Sequence, residues 1–154
     1  MKSILVAVAL LTGSGSNGAA ISDSELCLGG VALGGSESHV LAALGQPSQR
    51  SDTGEGFVLE YPGLTVLFGW LEQAAPGKQR HVLQLNATAP SACTPSEVCP
   101  GDPVSKVLAV YGQPIKVERE LGSFLEYYSN QSSCWLQLGV SGDTVHAISA
   151  VCQP

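Results

Sequence analysis

In residues 101–114 the apolar side chains fall at helical spacing. Val104, Val107, Leu108 and Tyr111 stand at i, i+3, i+4 and i+7, which gives a helix one apolar face. Asp102 is placed to accept hydrogen bonds from the first free amides, and Pro103 suits the first turn. Gly112 supplies a left-handed stop and Pro114 prevents continuation. Residues 34–47 carry the same pattern, with Ser36 as cap, Val40, Leu41 and Leu44 as face, and Gly45 with Pro47 as stop. Helices of about two to three turns are marginal alone, so each must lean on another layer.

After each helix the pattern changes to period two. Leu64, Val66, Phe68 and Trp70 alternate with Thr65, Leu67, Gly69 and Leu71. Cys134, Leu136, Leu138 and Val140 alternate with Ser133, Trp135, Gln137 and Gly139. The alternation predicts a three-strand meander behind each helix, near 55–61, 64–71 and 81–87, then near 122–128, 133–140 and 144–151. One sheet face receives the helix and the other stays open. Lys116, Glu118 and Glu120 suggest a further, charged strand that blunts a sheet edge.

The two halves are alike in sequence. Residues 34–47 (GGSESHVLAALGQP) and 101–114 (GDPVSKVLAVYGQP) are identical at eight of fourteen positions. The likeness continues from Leu59-Glu60-Tyr61 to Leu125-Glu126-Tyr127, from Gly69 to Gly139 and from Val82 to Val145. Such self-similarity marks a duplicated structural unit. The expectation is an α+β protein of two tandem helix-plus-antiparallel-meander repeats, forming one continuous or two packed sheets. The boundaries are a signal peptide at 1–20, a first repeat at 21–87, a linker at 88–99 and a second repeat at 100–154.

Composition narrows the role. The chain has 154 residues, 44% of them hydrophobic and 13% charged, too apolar for a disordered chain. Seven basic against thirteen acidic side chains give a net charge of −6. That balance argues against a nucleic-acid partner, which requires a basic stripe. No apolar run reaches the roughly 18 residues of a bilayer span. The N-terminus reads as an export signal: Lys2, an apolar block at 4–11, then a small-polar stretch ending in Gly18 and Ala20. In an oxidising compartment the five cysteines are disulfide candidates first. Cys93 and Cys99 can staple a loop. Cys134 and Cys152 begin and end adjacent strand patterns, so they come to lie nearly opposite each other, and Cys27 is left over.

The recurring phrase Gly-x-[Ser/Thr/Pro]-x-x-x-Val-Leu-x-x-x-Gly resembles that of the β-lactamase inhibitor protein fold. It is also similar to the single-copy SmpA/OmlA envelope lipoproteins. Its carriers are Gly34, Ser36, Val40, Leu41 and Gly45, then Gly101, Pro103, Val107, Leu108 and Gly112. The resemblance covers roughly 28–87 and 95–152. It implies an inhibitor-like fold, and as a second reading a soluble structural relative of the outer-membrane assembly proteins. The lipid-accepting cysteine of the lipoproteins has no counterpart here, and the aromatic-rich loops of the inhibitors are reduced. Neither the anchor nor the inhibition is carried over.

No catalytic motif stands out. The chain holds no G-x-S-x-G elbow and no cysteine in a recognisable catalytic setting. His39 reads as solvated. His146, in phase with Ile148 and Ala150, reads as partly buried. We therefore expect neither enzymatic activity, cofactor nor metal, and a small secreted hydrolase is the least favoured class. The sharper feature is aromatic placement. If Leu125 and Tyr127 face the helix, then Phe124, Glu126 and Tyr128 face outward, together with Trp135 and Gln137 of the next strand. Large rigid rings of this kind anchor interfaces. The alternative is that this face packs against the sheet of the other repeat. The leading expectation is a periplasmic or secreted, non-enzymatic module that binds an envelope or secreted protein through these five residues. One outcome is directly checkable: intact mass of the exported form should correspond to a chain starting at Ile21, and retention of Lys2 would refute the cleavage.

Overall fold

The computed structural model describes residues 18–70 and 79–153. Most of the signal-peptide expectation, residues 1–17, and Leu71 therefore lie outside the described residues. A short ribbon of β1 (Cys27–Leu28) and β2 (Val31–Ala32) precedes helix α1 (Glu37–Leu44). Strands β3 (Gln49–Asp52), β4 (Phe57–Tyr61), β5 (Leu64–Gly69) and β6 (His81–Ala87) follow. Helix α2 (Val104–Tyr111) leads into β7 (Ile115–Arg119), β8 (Gly122–Tyr128), β9 (Cys134–Ser141) and β10 (Thr144–Cys152). Strands β3 to β10 form one antiparallel sheet in the order β3-β4-β5-β6-β10-β9-β8-β7.

This corrects the expected architecture. The molecule is one eight-stranded antiparallel sheet with two helices, not two tandem helix-plus-meander repeats. Four strands follow each helix instead of three. The additional strand β3 reads Gln-Arg-Ser-Asp, with no apolar alternation to announce it. An edge strand can be polar because its backbone ladder, not its side chains, holds it. At the other edge β7 carries Lys116 and Glu118, while Glu120 falls in the turn beyond it. The halves join where β6 pairs with β10, with Gln84 opposite Val151 and Asn86 opposite Ser149.

One face of the sheet carries the core. Leu59, Val66, Leu85, Ala150, Leu136 and Tyr127 form a buried row that crosses six strands. Val40 of α1, Val107 and Tyr111 of α2, and Leu28 and Val31 of the ribbon pack over it. The stretch 88–99 belongs to the same layer, because Ala92, Thr94 and Val98 are buried. A Cys93–Cys99 disulfide closes that loop, and Cys134–Cys152 joins the paired ends of β9 and β10. Cys27 is a free thiol, half-buried, and burial pushes its pKa up.

Capping differs between the helices. Ser36 caps α1, its hydroxyl accepting from the His39 amide. Asp102 does not cap α2, against expectation. Its carboxylate accepts from the Cys99 amide and pairs with Lys106 at 2.9 Å. The Val104 amide instead donates to the Asp143 carbonyl, so a neighbouring β-turn does the capping. Both helices end on a left-handed glycine, Gly45 at φ 78° and Gly112 at φ 83°. The carbonyl each glycine exposes accepts from a sheet tyrosine, Tyr61 to Gly45 at 2.9 Å and Tyr127 to Gly112 at 2.8 Å. The two most alike sequence segments of each half therefore touch.

Burial pushes the Tyr127 hydroxyl up to about 12 from its ordinary 10. A raised folded-state pKa favours the protonated form, so this contribution to stability is full below pH 10 and lost as pH rises through about 12. Chemical denaturation across pH 9–12 should show alkaline destabilisation in the wild type and a smaller loss in Tyr127→Phe. Equal slopes for both would remove Tyr127 as its source.

Candidate functional site

The sheet face opposite the helices is open. Register sets what it displays, because directly paired residues share a face. Glu126 lies opposite Gln137, Tyr128 opposite Trp135, and Phe124 opposite Gly139. The five residues singled out by alternation, Phe124, Glu126, Tyr128, Trp135 and Gln137, thus stand side by side on β8 and β9. A polar row continues across the sheet through Ser149, Asn86, Thr65 and Glu60. Ser149 donates to Asn86 at 2.8 Å and the Gln84 amide donates to the same oxygen at 3.1 Å.

Glu126 is not available to a partner as a free charge. It is fully buried although it lies on the open face. The Arg119 guanidinium binds one carboxylate oxygen at 2.6 Å, and the Gln137 amide donates to the same oxygen at 3.1 Å. The Tyr128 hydroxyl donates to the other. A buried carboxylate is tolerated only when paired and hydrogen-bonded in this way. The hydrogen bond to Glu126 in turn raises the Tyr128 pKa, with burial and the carboxylate's charge adding to the effect, so that hydroxyl remains a donor. Arg119 escaped the sequence reading. The alternation of β7 with Ile115 and Val117, outward opposite Glu126 and Phe124, is the signal that could have placed it.

The aromatic part is a pair. Tyr128, 41% exposed, stacks on half-buried Trp135 at 5.7 Å between centroids and 27° between planes. The Trp135 indole nitrogen is buried without a hydrogen-bond partner. Phe124 is half-buried on the same face, beyond the Glu126–Gln137 row. His146 departs from its expected place in phase with Ile148 and Ala150. A bulge between Val145 and Ala147 turns it onto the open face, where it is exposed. Its ring covers Gly139; a Cβ there would meet His146 Cε1 at 2.7 Å, so a side chain at 139 would displace the imidazole. His39 is exposed on α1.

No family model matches this chain, and no curated protein does. Two solved structures resemble the fold. One is an extracellular protein containing an SCP domain from Bacillus anthracis, with TM-score 0.51 and 14% identity, covering 95% of this chain and 50% of that one. The other is a cysteine-rich secretory protein from Staphylococcus aureus, with TM-score 0.52 and 9% identity, covering 86% of this chain and 48% of that one. The chain thus spans about half the length of these solved chains. The comparison overturns the resemblance to the β-lactamase inhibitor proteins and the SmpA/OmlA lipoproteins. The residues that carried that resemblance cap helices and start turns. Short capped helices are common to many folds, so such positions discriminate poorly.

Because Trp135 is only half-buried and its main partner is exposed Tyr128, truncation should remove a stacked pair and not a core residue. Trp135→Ala should lower stability by about 1–2 kcal/mol in urea unfolding, against the roughly 3–5 kcal/mol of a fully buried aromatic ring. A loss in the larger range would assign Trp135 to the core.

Proposed function

We propose that this chain is an exported, non-catalytic binding module that engages an envelope or secreted protein through the open sheet face around Tyr128 and Trp135. The observation that carries the reading is the exposed Tyr128 ring stacked on Trp135, beside a carboxylate already neutralised by Arg119. Such a surface offers apolar area without an unpaired buried charge, the composition that favours an interface anchor. Both oxygens of Glu126 are engaged, which suits a positioning role for it under the rings better than proton transfer. Export is supported by the signal-like N-terminus, by two disulfides, and by structural neighbours described as extracellular and secretory proteins.

Site-specific crosslinking tests the reading. A photoreactive phenylalanine at Tyr128 should give one discrete protein adduct in the producing cells. The same group at His39 on α1 should not. Equal labelling from both positions, or from neither, would refute binding through this face.

A further inference from the structure

A second site lies on the opposite, helix-covered side of the first half. A groove of about 660 Å³ is lined, among the described residues, by Glu37 of α1, Arg50 of β3, Phe57 of β4, and Trp70, Gln79 and Arg80 at the ends of β5 and β6. Two guanidinium groups lie over aromatic rings there. Arg50 sits 3.9 Å from the Phe57 ring centroid and Arg80 sits 5.0 Å from that of Trp70. Arg50 is already engaged, bonded to Glu37 at 2.5 Å with Asp52 at 3.8 Å. Arg80 makes no salt bridge to any carboxylate among the described residues.

The same end of the sheet holds two further unsatisfied nitrogens. Trp70 Nε1 and His81 Nδ1 are both buried without a hydrogen-bond partner. Gly69 pairs with His81 across β5 and β6, so by alternation His81 stands on the face opposite to Trp70, and of the two nitrogens only that of Trp70 belongs to the groove. Buried polar atoms left unpaired call for an explanation in an absent acceptor or donor. An indole N–H and a guanidinium are donors only, so both call for acceptor oxygens. With Arg50 paired to Glu37, Arg80 is the cation of this groove that makes no salt bridge among the described residues.

We propose that this groove binds a carboxylate-bearing ligand, the acidic side chain or terminus of a peptide, with the Arg80 fork as its principal contact. A guanidinium offers a fork of N–H donors along its edge, which matches the two oxygens of a carboxylate. The aromatic floor adds attraction to the cation and excludes water from the pair. The site is separate from the Tyr128–Trp135 face and does not depend on the function proposed for that face.

The chain has two tryptophans, so their indole N–H signals in ¹⁵N NMR report on the two sites independently. Succinate titrated into the full chain at constant ionic strength should shift the Trp70 signal saturably and leave that of Trp135 in place. The Trp70 signal is identified by its loss in Trp70→Phe. Arg80→Gln should weaken succinate binding at least tenfold, and Arg80→Lys, which keeps the charge without the fork, should weaken it less. Thermal melts confirm that each variant is folded. The proposal fails if succinate gives no saturable shift, if Arg80→Gln binds like the wild type, or if inorganic phosphate binds as tightly as succinate.

Discussion

The pairing of β6 with β10 is the constraint on which the rest of the molecule depends. Four residues of each strand, 84–87 and 148–151, bring the two halves into one hydrogen-bonded sheet. Without that seam each half would present a raw strand edge, a template for association with other chains. With it, the unpaired edges fall on β3 and β7, the two most polar strands. The apolar row from Leu59 to Tyr127 runs unbroken across the seam, so both helices and the ribbon cover a single core. The seam also carries the polar row of the open face, where Ser149 of one half bonds Asn86 of the other.

The two sheet faces satisfy their polar groups in different ways. On the covered face each sheet tyrosine reaches a helix-ending glycine carbonyl, so an orphan acceptor at a helix C-terminus is closed by a side chain from the sheet. Tyr111 does similar work for the N-terminal segment. It donates at 2.6 Å to Glu25, which also accepts from Ser96 beside the Cys93–Cys99 staple. On the open face the closure is local to the strands, through Arg119, Gln137 and Tyr128 around Glu126. The equivalent position in the first half, Glu60, is exposed. The likeness of the two halves therefore extends to the helix-ending glycines and the tyrosines that reach them, while the helix N-termini and the open face differ between them.

Helices, strand periods and the composition of the faces were legible in the residues themselves, because each depends on neighbours a few positions apart. Val104, Val107, Leu108 and Tyr111 mark a helix whatever surrounds it, and Gly112 ends it for a reason local to its own φ. The alternation on β8 and β9 likewise settles which side chains share a face. Strand β3 was hidden because an edge strand needs no apolar alternation. His146 was misplaced because a bulge adds one residue and reverses the phase beyond it, which no period-two count can detect.

Neighbours along the chain fix only local features: two short helices with their glycine stops, period-two strands, and which side chains stand together on a face. The tertiary structure alone decided the eight-stranded order, the burial of Glu126 and the groove beneath Arg80. These depend on contacts between residues far apart in the chain: β6 on β10, Arg119 on Glu126, and Arg50 brought to the same groove as Trp70 and Arg80. The family resemblance failed for the same reason. Its residues report on helix caps and turns, and such local signals do not specify how strands that are distant in sequence pair.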